Sequence, residues 1–68
     1  MNIHEAAKFS LAYNPPVPIR RDAWDDPTKC LKLDSAKKNF IVYKRNIPVS
    51  QYTADVPDLL GLDWQLVV

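Results

Sequence analysis

Asp58-Leu59-Leu60-Gly61-Leu62-Asp63-Trp64-Gln65-Leu66-Val67-Val68 closes the chain, and its reading decides the fold. Asp58, Leu59 and Leu60 read as the end of a single helical turn. Gly61 stands where a chain leaving a helix takes up positive φ, which costs glycine no Cβ clash. Trp64, Leu66 and Val68 then alternate with Gln65 and Val67, the period of a strand. An apolar terminal segment calls for pairing in a sheet, so this strand is expected to be internal or buried in an interface.

Working outward, Ala54 to Leu60 reads as a short helix. Asp55 suits its N-cap, Pro57 its first turn, and Asp58 its positive end. Asn46 to Thr53 reads as irregular, broken by Pro48. Lys29 to Asp34 and Asn39 to Arg45 alternate as a hairpin around a polar loop, Ser35 to Asn39. Phe40 and Val42 oppose Ile41 and Tyr43, so the second of these strands is central or meets another subunit. Val17 to Trp24 reads as a strand with Pro18 at its start and Arg20 and Arg21 on opposite faces. Asp25-Asp26-Pro27 closes it as a turn. At the front, Asn2 to Tyr13 reads as a helix with Asn2 and Glu5 at capping-box spacing. Ile3, Ala7 and Leu11 form its apolar stripe, broadened by Ala6, Phe9 and Tyr13, and Asn14-Pro15-Pro16 ends it. The sum is one α+β domain over residues 1–68. It comprises a small four-stranded antiparallel β-sheet, an N-terminal helix and a short helical turn before the C-terminal strand.

Size bounds how such a domain is held together. A chain of 68 residues buries only about 60% of its unfolded surface. A single core of this size rarely supplies more than roughly 3–5 kcal/mol. One cysteine, Cys30, excludes an internal disulfide, and one histidine with one cysteine excludes the usual four-ligand zinc site. Oligomerisation is the remaining support, so a homo-oligomer, a dimer or tetramer, is expected. Nine Lys and Arg against eight Asp and Glu argue against bulk nucleic-acid binding. Nothing in the sequence is long and apolar enough to span a membrane. With His4, Glu5 and Lys8 among them, the first residues do not read as a signal peptide, and the lone thiol fits a reducing cytoplasm.

Enzyme chemistry finds little footing, and no cofactor is implied. A nucleophile needs a base and an orienting group, and no such set is visible. His4 falls in the first helical turn. Cys30 opens a strand as a small core or edge residue. With Gly61 the sole glycine, there is no phosphate-cradling loop. Asp25 and Asp26 have the chemistry to bind a cation but read as a turn. Ile19-Arg20-Arg21-Asp22-Ala23-Trp24 is more suggestive. Guanidinium groups beside an indole suit a phosphorylated aromatic ligand, one for the phosphate and the other for the base. Tyr43 and Tyr52 offer further stacking surfaces. The alternative is structural: Trp24 plugs the core or an interface, and the arginines pair with Asp22, Asp25 or Asp26.

Three pieces in order, Ile3-His4-Glu5-Ala6, Ile19-Arg20-Arg21-Asp22-Ala23-Trp24 and Asp58-Leu59-Leu60-Gly61-Leu62-Asp63-Trp64, resemble the Thoeris anti-defence two family of small phage and prophage proteins. The likeness lies at the two ends and does not extend over residues 28–52. It implies a non-enzymatic sponge that sequesters a nucleotide-derived immune signal, such as a cyclic ADP-ribose isomer, in pockets formed where subunits meet. On that resemblance Trp24 is the base-stacking residue, with Arg20 and Arg21 as further ligand-binding candidates; Tyr43 joins them as a candidate through its own stacking surface. Asp63 and Trp64 are expected to be structural, the indole in the core and Asp63 accepting from nearby backbone. Relatives that block CRISPR immunity imply the alternative, a small inhibitor that binds a host protein through a surface patch.

Overall fold

A computed structural model describes residues 1–34, 36–37 and 39–67. The expected loop at Ser35 and Lys38, and the last strand residue Val68, lie outside the described residues. The elements are α1 (Ile3–Leu11), β1 (Ile19–Arg21), β2 (Lys29–Asp34), β3 (Asn39–Lys44), β4 (Ile47–Gln51), α2 (Val56–Leu60) and β5 (Trp64–Leu66). The strands form one antiparallel sheet in the order β4-β3-β2-β1-β5. The α+β architecture expected from the sequence is therefore the one found, with one strand more.

That strand is β4, in the stretch read as irregular. A two-residue turn at Arg45 and Asn46, both at positive φ (54° and 64°), reverses the chain between Lys44 and Ile47. Two left-handed residues match the twist of the flanking strands. Pro48 is tolerated because β4 is an edge strand, where a missing N–H breaks no inner ladder. The register slips between Val42 and Tyr43, which bends the edge.

β1 is shorter than expected. The Asp63 carboxylate accepts from the Ala23 amide at 2.8 Å, and the Asp63 carbonyl accepts from the Asp22 amide. These bonds turn the chain out of the ladder after Arg21, so Trp24 lies in a loop rather than on the strand. α1 is also shorter than the sequence suggests and is turned differently. The reciprocal Asn2–Glu5 capping box starts it as expected. Its buried positions, however, are Ala6 and Ser10, while Phe9, Leu11 and Tyr13 are exposed. Ser10 takes the inward place because its hydroxyl donates to the Val17 carbonyl and ties the helix to the segment entering β1.

The closing strand is an edge strand, so of its two expected placements, internal or buried in an interface, the first is not the one found. β1 pairs it on one side, with Ile19 opposite Leu66 and Arg21 opposite Trp64. On the other side Met1 stands in for a neighbouring strand. Its carbonyl accepts from the Trp64 amide, and its amino group donates to the carbonyls of Leu62 and Trp64. Gly61 departs from expectation too: at φ −65° and ψ 142° it is extended, not left-handed.

Register and alternation divide the sheet into two faces. Ile19, Leu31, Val42 and Trp64 share one face and, with Ala6 of α1, form the buried core. Both helices lie on this side. Arg20, Cys30, Lys32, Ile41 and Tyr43 alternate onto the other, which no helix among the described residues covers.

Candidate functional site

The two faces separate the residues that the sequence grouped as a ligand site. Arg21 and Trp24 belong to the covered side, Arg20 and Tyr43 to the open one.

On the covered side the organising group is Asp58, a buried carboxylate on α2. Asp55 caps α2, its side chain accepting from the Asp58 amide, and so fixes the turn that aims Asp58 inward. Arg21 Nη1 donates to Asp58 Oδ1 at 3.2 Å, and Trp24 Nε1 donates to the same oxygen at 3.4 Å. The Tyr52 hydroxyl donates to Oδ2 at 2.8 Å. Arg21 Nε also donates to Asp63 at 2.8 Å. The arginine thus has carboxylate partners, but they are Asp58 and Asp63 rather than Asp22, Asp25 or Asp26. The Trp64 indole, 2% exposed, plugs the core as expected and donates to the Asp58 carbonyl at 2.9 Å. Trp24 meets it edge-on, with ring centroids 5.3 Å apart.

The electrostatics follow from this arrangement. Burial pushes the Asp58 carboxyl up, but hydrogen bonds from Tyr52, Arg21 and Trp24 outweigh it, and its pKa falls below the usual carboxylate value. The hydrogen bond from Arg21 holds Asp63 low as well. Burial, with the bond to Asp58, pushes the Tyr52 hydroxyl up. A carboxylate saturated with donors and stabilised in its charged form is a poor base, so this cluster holds structure together.

On the open side Arg20 Nη2 donates to the carbonyls of Trp24 and Asp26, fastening the β1–β2 connection. Cys30 is half-buried, and burial pushes its thiol up, away from a reactive thiolate. Tyr43 lines a surface hollow of about 380 Å³ with Ile41, Pro48 and Val49, rimmed by Asp34 and Lys37. Trp24 and Tyr43 each already carry a cation. Lys29 Nζ lies 4.3 Å from the Trp24 ring centroid and Lys32 Nζ 4.4 Å from that of Tyr43. Among the described residues no group of three or more His, Cys, Asp or Glu side chains is placed to hold a metal ion. No helix among them is long and apolar enough to cross a membrane.

A third feature was missed in the sequence. α2 buries its charged residue and exposes its apolar ones. Val56, Leu59 and Leu60 fall at i, i+3 and i+4 on one helical face. They are 65%, 54% and 74% exposed, and Leu62 just beyond is 76% exposed. The signal was present as that spacing. It is hidden by the habit of assigning leucines to the core, which holds only if the helix turns its apolar face inward.

Comparison with models of known protein families, with curated proteins and with solved structures finds no match.

Proposed function

We propose that this chain is a non-catalytic, cytoplasmic binding protein that acts by docking onto another protein. One observation carries the reading: the inverted α2, with Asp58 inside and Val56, Leu59, Leu60 and Leu62 in solvent. Inward rotation would bury those side chains, but the donors gathered on Asp58 forbid it. A fold that spends a buried ionic network on holding leucines in water presents them for contact. The test is a photo-crosslinking residue at position 60, with position 8 on exposed Lys8 as control, in the cells that make the protein. A discrete adduct with another protein from position 60 alone supports docking. Adducts from both positions alike, or none, overturn it.

A second reading, sequestration of a nucleotide-derived signal by a homo-oligomer, is favoured by the hollow over Tyr43. Its size falls within the roughly 300–1,000 Å³ of small-molecule sites. Calorimetric titration with cyclic ADP-ribose isomers tests it, with Tyr43→Ala expected to remove binding.

A further inference from the structure

A second surface hollow, of about 360 Å³, lies on the covered side of the sheet against β4. Core residue Val42 lines it, together with Lys29, Lys44, Ser50, Tyr52 and Thr53. Register explains how its two cations meet. Lys29 stands directly opposite Lys44 across the β2–β3 ladder, two residues along from the buried Leu31–Val42 pair, so both lysines share the covered face. Ser50 is opposite Val42 and shares it too.

Like charges directly opposite in a ladder are destabilising. This pair is not neutralised from within. Among the described residues the ion pairs are those of Arg21, and neither lysine has one. Lys29 Nζ lies instead over the Trp24 ring. The nearby carboxylates are engaged. Thr28, through its hydroxyl and amide, holds Asp26 low, and Lys44 and Arg45 add to it. Asp55 accepts from the Asp58 amide, and Asp58 is taken up by Arg21, Trp24 and Tyr52.

We propose that this hollow binds a phosphate group carrying two negative charges, free or as a monoester, between the Lys29 and Lys44 ammonium groups, with the Ser50 and Thr53 hydroxyls as further donors. A carboxylate brings one charge to two ammonium groups and leaves half of their repulsion unanswered. A phosphate dianion matches both and has oxygens to spare for the hydroxyls. The site is separate from the α2 face and from the hollow over Tyr43, so it stands or falls independently of both readings above.

The test is titration of the intact, isotope-labelled chain with inorganic phosphate and, separately, with ethyl phosphate, at an ionic strength matched with sodium chloride. Saturable shifts are expected at the amides of Lys29, Lys44 and Ser50. Lys44→Gln is expected to weaken binding about tenfold, the scale of a charge-assisted bond. Lys8→Gln, at an exposed position of α1, should leave it unchanged. Lys44→Gln also relieves the like-charge pair, so without phosphate it should be at least as stable as the parent, which separates lost binding from lost fold. Asp26→Asn keeps an acceptor for Thr28 but removes the competing charge, and should tighten binding severalfold. Tighter binding of ethyl phosphate assigns the site to an ester, equal or tighter binding of inorganic phosphate to the free ion, and either supports it. The proposal is overturned if the shifts are missing or do not saturate, if they survive Lys44→Gln undiminished, or if Asp26→Asn binds no tighter.

Discussion

The guanidinium of Arg21 fills the space that a side chain at residue 61 would need. A Cβ built on Gly61 lies 2.7 Å from Arg21 Nε and 2.8 Å from Cζ. Glycine is required here for room and not for backbone conformation, since its φ of −65° suits any residue. An arginine tip usually swings aside at little cost, but this one is pinned by Asp58 and Asp63. Gly61→Ala is therefore expected to cost about 1–3 kcal/mol, the range of overpacking. In an Arg21→Ala background the same change should cost nothing. A double-mutant cycle by urea unfolding checks this, and additive penalties would show that Arg21 is not the obstacle.

Asp58 makes the domain acid-sensitive. Its folded pKa and that of Asp63 are lowered, so each contributes stability that is fully present above the unfolded carboxylate value, about 4, and lost as pH falls through the folded value. Unfolding by acid is expected to begin below about pH 4 and to steepen as both carboxylates protonate. Asp58→Ala should cost about 3 kcal/mol at neutral pH, since it leaves the Tyr52 hydroxyl, the Trp24 indole N–H and one arm of Arg21 without their shared acceptor. It should also flatten the acid limb of a stability–pH profile measured by denaturant titration. An unchanged acid limb would place the sensitivity elsewhere.

The helical capping, the hairpin and the strand period were legible because each is written in neighbouring residues. Asn2 with Glu5, Asp55 with Pro57, and the alternation of Leu31 and Leu33 are local signals, and all appear in the fold. What failed depended on partners far along the chain. The end of β1 is set by Asp63, some forty residues later, and the need for glycine at 61 is set by Arg21. β4 was hidden because Pro48 breaks central strands, and only its edge position makes it acceptable. For the site, the sequence marked Arg20 and Arg21 as opposed across the pleat, which holds. It could not show that this opposition carries Trp24 away from Tyr43.

Trp24 and Trp64 should separate in stability. Trp64→Ala removes the core plug and is expected to cost about 3–5 kcal/mol. Trp24→Ala loses an edge-on ring contact and a long bond to Asp58 at a half-buried site. A cost nearer 2 kcal/mol is expected there. Because Trp24 supports the fold, loss of ligand binding in Trp24→Ala would not identify a stacking residue. Tyr43→Ala, on the open face, would. Thermal unfolding of the three variants orders them, and a Trp24→Ala protein as stable as the parent would free that indole for ligand.

Tyr52 predicts the opposite limb. Burial, then its bond to Asp58, raises its pKa. The folded state therefore keeps the proton where the unfolded chain, with a tyrosine value near 10, has lost it. By linkage this stability is complete below about pH 10 and declines as pH rises toward the folded value. Tyr52→Phe should lose about 1 kcal/mol at neutral pH, because Asp58 Oδ2 is left without its donor. The same variant should decline less between neutral pH and pH ~11 than the parent does. Tyrosinate absorbance alongside denaturant titration measures both effects. A variant that tracks the parent through the alkaline range would mean that the Tyr52–Asp58 bond does not control it.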